Sequence, residues 1–215
     1  MTKEKSLEFI LKHKIVAVLR HIHERDILRL AGALFEGGIS VFEITFTNEN
    51  AVRLIEILKR EFKEKALVGA GTITKKPQLI SSLKAGSEFF VSPFFDRALV
   101  SFAIKNHALY VPGCVTPTEV ACAAKAGCNV IKIFPASSFG HGHVKALKTI
   151  FPDILFVPTG GISPKDARQY FASGASCIGA GNELVPQRWL KEKKFTHIKN
   201  NALKYSRAAG VLSDA

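Results

Sequence analysis

Short runs of β-branched and aromatic residues alternate along the whole chain with segments whose apolar positions recur at three and four. The runs IVAVLR from Ile15, VFEITF from Val41, ALVGAGTI from Ala66, FFVSP from Phe89, LYVPGCV from Leu109, VIKIFPA from Val130, ILFVPTGGI from Ile154 and ASCIGAG from Ala175 read as eight strands. Between them, ERDILRLAGALFEGG, NAVRLIEILKREF and PTEVACAAKAG read as amphipathic helices. Gly38, Gly86, Gly127 and Gly174 each stand shortly before the next strand, where a left-handed helix cap is expected. Eight β–α units predict an α/β fold, a single-domain (β/α)8 TIM barrel over residues 1–215, with a basic helical tail from about 188.

An open, doubly wound sheet shares this periodicity. Two features weigh against it: no G-x-G-x-x-G follows the first strand, and polar or Gly-rich residues gather at the C-terminal ends of many strands. Those ends read Arg20, then Glu43 and Thr45, then GAGT, SP, PG, K-x-F-P, PTGG and GAG. In a barrel they converge on one mouth.

The chemistry of that mouth turns on VIKIFPASS, residues 130–138, where Lys132 interrupts an apolar strand. An interior amine either loses its proton or finds an anion, because burying an unpaired ammonium is strongly unfavourable. Alternation puts Val41, Glu43 and Thr45 on one face of the second strand and Val130, Lys132 and Phe134 on one face of the sixth. Even-numbered strands fill the same interior layers of a barrel, so Glu43 and Lys132 are expected to meet inside. Taken alone, such a meeting is a buried ion pair. At the loop-bearing end of a barrel it also supplies a neutral amine nucleophile beside a carboxylate. The loops PTGGIS and IGAGNEL, with Ser163 and Pro164 as helix cap and first helical residue, leave amides near Gly160 and Gly161 for an anion. They also serve simply as tight turns.

Composition narrows the picture further. With 47% hydrophobic and 22% charged residues the chain is an ordinary globular protein. Lys12, His13 and Lys14 interrupt the N-terminal apolar residues before a signal core forms, and no apolar run reaches bilayer-spanning length, so a cytoplasmic location without membrane contact is expected. Cys114, Cys122, Cys128 and Cys177 form no C-x-x-C pair and read as reduced, buried thiols. The net charge of +12 raises nucleic acid as a partner; part of that charge lies in residues 191–207, where helical spacing gives a solvated face, and no nucleic-acid-binding motif accompanies it. His141 and His143 in FGHGHVKAL lack an obvious third ligand, so no metal site is expected.

In order along the chain, EITFT, GAGT, VSP, VPGCVTPTE, IKIFPAS and VPTGGIS resemble the 2-keto-3-deoxy-6-phosphogluconate (KDPG) and 4-hydroxy-2-oxoglutarate (KHG) aldolase family, from about Ile15 to about Gln187. The resemblance implies a (β/α)8 barrel, usually trimeric, that cleaves keto acids to pyruvate without metal or cofactor. It further implies Lys132 as the Schiff-base lysine and Glu43 as general acid and base. Arg20, Thr72, Pro93, Phe134, Thr159, Gly160 and Gly161 then line the pyruvyl site, with Gly181 and Asn182 near the phosphate. Two departures stand out: Thr47 occupies a position where many relatives carry Arg, and Gly181 with Asn182 replace a Ser that binds phosphate in many relatives. Phe94, where a smaller residue is frequent, narrows the mouth. The residues alone leave two other readings open, a phosphosugar isomerase or epimerase using Glu43 and a basic nucleic-acid-binding scaffold.

Overall fold

The structure, a computed structural model, describes residues 2–213. Its strands are β1 (Ile15–Leu19), β2 (Val41–Thr45), β3 (Leu67–Gly71), β4 (Phe89–Val91), β5 (Leu109–Val111), β6 (Gly113–Cys114), β7 (Val130–Ile133), β8 (Leu155–Pro158) and β9 (Ile178–Ala180). All pair in parallel, in a six-stranded sheet of order β5-β4-β3-β2-β1-β9 and a three-stranded sheet of order β6-β7-β8. Isolated parallel bridges, Phe156 to Ala175 and Thr159 to Gly179, tie β8 to the β9 segment. The expected fifth strand is thus divided into β5 and β6 at Pro112. Proline has no amide hydrogen to donate to a ladder. Its carbonyl still accepts the Lys132 amide at 2.9 Å.

Helices α1 (Lys3–His13), α2 (Glu24–Glu36), α3 (Ala51–Phe62), α4 (Lys76–Lys84), α5 (Arg97–Lys105), α6 (Pro117–Lys125), α7 (Gly140–Ile150), α8 (Pro164–Ala172), α9 (Gln187–Lys191) and α10 (Phe195–Ala208) complete the fold. Gly38, Gly86, Gly127 and Gly174 adopt φ of 86°, 88°, 94° and 92°, as their place after helices predicts. No helix among the described residues is long and apolar enough to cross a membrane.

Strand alternation sorts the buried residues into two cores. Phe42, Ile44, Val68, Phe90, Ile131 and Phe156 point outward and pack with the helices. Val16, Val41, Leu67, Phe89, Val111, Val130 and Val157 point inward, and Ile10 of α1 packs among them. The period of two therefore does here what it does in any sheet buried on both faces.

The basic tail packs on the rest of the fold. Its solvent side carries Lys204 and Arg207, as the spacing predicts, but Phe195, Ile198, Ala202, Tyr205 and Ser206 of α10 are buried. They pack against α2 and α8, with the Arg29 guanidinium 4.5 Å from the Phe195 ring centre. Of the outward residues Phe42 is the most consequential: it is fully buried and meets Phe62 edge-on at 5.4 Å. Phe42→Ala is expected to cost about 3–5 kcal/mol in urea denaturation. Ile150→Ala, at a 59% exposed position, should stay within about 0.5 kcal/mol of wild type.

Candidate active site

Two ionisable side chains project into the inner core near its C-terminal edge. Lys132 of β7 is 3% exposed and Glu43 of β2 is 2% exposed. They face a common cavity of about 20 Å³ walled in part by Val16, Val111, Val157 and Thr159. No ion pair joins them among the described residues, and Glu43 Oε1 is buried without a hydrogen-bond partner. The two residues share a chamber, as alternation predicts, but do not touch as a closed pair.

Burial pushes the Lys132 ammonium below the ordinary lysine value; the Glu43 charge opposes that shift and the nearby Arg20 charge adds to it. The Phe134 ring centre lies 5.0 Å from Lys132 Nζ, on the strand's exit toward the mouth. Small residues make room for this group. A β-carbon at position 71 would overlap the Glu43 carboxylate, and one at position 179 would overlap the Thr159 side chain. Thr159 is buried and its hydroxyl donates to the Val157 carbonyl at 3.2 Å.

The remaining mouth residues follow directly on strand ends. Arg20 comes after β1 and is half-buried, and with Gly181, Asn182 and Gln187 it lines a second cavity of about 190 Å³. Thr72 follows β3 at φ 55°, a left-handed conformation that a β-branched residue adopts only under constraint. Pro93 follows β4 and its carbonyl packs on Gly113. Thr72 and Pro93 wall neither cavity, and Asn182 is exposed. Phe94, at 44% exposure, stands at the rim, and Thr47 is exposed with its hydroxyl 2.7 Å from that of Thr45.

The anion loops require one correction. Ser163 caps α8 and Pro164 opens it, as predicted, but the helix N-terminus is not free. The Asp166 carboxylate accepts from the Ser163 hydroxyl at 2.6 Å and from its amide at 3.1 Å. Those bonds hold the Asp166 carboxyl below its usual range and place a negative charge where an incoming anion was expected. The turn before α8 places Gly160 and Gly161 at φ of 98° and 67°, left-handed conformations that glycine adopts without strain.

Several positioning residues escape sequence reasoning. Asn48, 4% exposed, accepts the Ile22 amide at 2.7 Å and donates to the Leu19 and Thr45 carbonyls, so it locks the loop that carries Arg20 to the end of β2. Gln187 donates to the Arg20 carbonyl at 3.1 Å. Neither Asn48 nor Gln187 carries a periodic signal; only the partners reveal them. His141 and His143 are engaged by Ser173 Oγ at 3.1 Å and the Val115 carbonyl at 2.7 Å. No group of three or more metal-ligating side chains occurs among the described residues.

Known proteins resemble the chain over most of its length. The KHG/KDPG aldolase of Escherichia coli strain K12 is 38% identical over 173 residues, covering 79% of each chain. The 2-dehydro-3-deoxy-6-phosphogalactonate aldolase of the same organism is 32% identical over 174 residues, covering 80% of this chain and 85% of its own. Among solved structures, the KDPG aldolase of Legionella pneumophila, with pyruvate captured as a covalent carbinolamine intermediate, superposes with a TM-score of 0.85 at 31% identity, over 90% of this chain and 94% of that one. Residues 7–201 match the family described as KDPG and KHG aldolase, and the chain belongs to that family.

Proposed function

We propose that the protein is a Schiff-base aldolase that cleaves a 2-keto-3-deoxy acid, KDPG or KHG, releasing pyruvate and an aldehyde. The observation that carries this reading is a buried amine with a lowered proton affinity, facing the same small chamber as an unpartnered carboxylate oxygen. An isomerase or epimerase on the same scaffold would leave that amine without a role. A single domain completing an eight-stranded barrel fits the bridges between β8 and β9 and the shared chain of β5 and β6. We place the enzyme in the cytoplasm as a cofactor-independent homotrimer, by likeness to the family.

In this mechanism Lys132 Nζ adds to the C2 ketone, and loss of water gives an iminium. Glu43, through a water, takes the C4 hydroxyl proton as the C3–C4 bond breaks. The bonding electrons pass into the iminium, giving an enamine, and the aldehyde departs. Glu43 returns a proton to C3, and water releases pyruvate from Lys132. Arg20 holds the carboxylate, since Thr47 carries no charge, and its guanidinium suits that planar anion. Phe134 keeps the imine dry, while Thr72, Pro93, Thr159, Gly160 and Gly161 shape the pyruvyl pocket. Gly160, Gly161, Gly181 and Asn182 receive the distal, phosphorylated end.

Borohydride with pyruvate should inactivate the protein and leave a reduced pyruvyl adduct on Lys132; peptide mapping to another lysine would refute the assignment. The pH at which trapping is half-maximal reports the amine. Because the Glu43 charge favours the ammonium, Glu43→Gln should move that midpoint to lower pH, and because Arg20 disfavours it, Arg20→Gln should move it higher. Glu43→Gln should also slow solvent exchange of the pyruvate methyl protons and aldol cleavage by about 10² or more, which deuterium exchange by NMR measures. KDPG should show a kcat/KM above those of its unphosphorylated counterpart and KHG by about tenfold or more, the worth of a hydrogen bond to a charged group, with inorganic phosphate competing. Equal values for the three substrates would make the loops turns and nothing more.

A further inference from the structure

The two loops assigned to the distal end of the substrate are held by the same helix. In α10, Tyr205 is fully buried and its hydroxyl donates to the Ile162 carbonyl at 2.6 Å. Ile162 directly follows Gly160 and Gly161. One turn earlier on the helix, Asn201 Nδ2 donates to the Glu183 carbonyl at 2.8 Å and the Leu184 carbonyl at 3.0 Å. These carbonyls directly follow Gly181 and Asn182. Residues four apart share a helix face, so one rigid stripe sets the spacing of two Gly-containing loops that come from different strands.

We infer that Asn201 and Tyr205 are positioning residues for the phosphorylated end of the substrate, fixing the distance between the β8–α8 and β9–α9 loops. The inference rests on the reading of those loops as the phosphate subsite. Their glycines give the backbone latitude to bind an anion, and the same latitude lets the loops drift apart unless something outside them fixes their separation. Neither residue approaches Lys132 or Glu43 by hydrogen bond or ion pair. Their hydrogen bonds end on Ile162, Glu183 and Leu184, beyond the glycines, so they act on the spacing of the two loops and not on Lys132 or Glu43.

A third residue of the helix supplies the control. Ser206 is equally buried, and its hydroxyl donates at 2.7 Å to the Gly37 carbonyl, on the side of α2 and away from both loops. Tyr205→Phe, Asn201→Ala and Ser206→Ala should be compared in steady-state cleavage of KDPG and its unphosphorylated counterpart, in inhibition by inorganic phosphate, and in borohydride trapping of pyruvate. Tyr205→Phe and Asn201→Ala should each raise KM for KDPG and Ki for phosphate by about tenfold, the worth of one net hydrogen bond. They should leave KM for the unphosphorylated substrate and the trapping rate unchanged, and Ser206→Ala should leave all four quantities unchanged. An equal loss in Ser206→Ala, a parallel loss of trapping, or unchanged phosphate affinity in both Tyr205→Phe and Asn201→Ala would overturn the assignment. Wild-type protein that phosphate does not inhibit would instead refute the phosphate subsite, and this inference would fall with it.

Discussion

Everything distinctive about this molecule follows from placing one amine where water cannot solvate it. Lys132 stands on an inward position of β7, between Val130 and Phe134, and the backbone around it is hydrogen-bonded on both sides. The ammonium therefore cannot be relieved by moving the strand; only its proton is negotiable. A direct ion pair with Glu43 would keep the proton in place and the amine inert. Glu43 stands instead near enough to moderate the shift and far enough to leave one of its oxygens unpartnered.

That separation depends on what is missing from the neighbouring strands. The inner core is filled with Val, Leu and Phe at one end, and the residues that would continue the filling at the other end are Gly71, Gly113 and Gly179. Each lies against a residue of the site or its rim: Glu43, Pro93 and Thr159. The usual alternation of large and small side chains that fills such a core is thus displaced here toward small. The room these glycines leave is taken up by the Glu43 carboxylate, the Pro93 carbonyl and the Thr159 side chain.

How much of this is legible in the sequence depends on whether a residue acts through a period or through a partner. Lys132 and Glu43 are legible because a charge at an inward position of an apolar run violates a period of two. Arg20, Thr72, Pro93 and the PTGG glycines are legible as exits from strands. Asn48, Asn201 and Tyr205 are not, since each works by a hydrogen bond to a carbonyl 3 to 43 residues away, and nothing local marks the partner. The Asp166 carboxylate is legible in SPKD, where Ser and an acid three residues on form a capping box, so the Ser163 end of α8 supplies its own anion. The tail is legible on one face only. Its lysines are solvated as their spacing implies, but Phe195, Ile198, Ala202 and Tyr205 define the opposite face, and that face closes the core against α2 and α8.

Ile10 has a consequence of a different kind. Reaching in from α1, it is 3% exposed among the inward valines and closes the chamber from the side opposite the strand ends. A chamber with a sealed floor has a single door. Under the proposed chemistry one fragment is still bonded to Lys132 when the aldehyde is freed, so departure is sequential: the aldehyde first, pyruvate second. In the direction of synthesis the same chemistry requires pyruvate on Lys132 before the aldehyde can react.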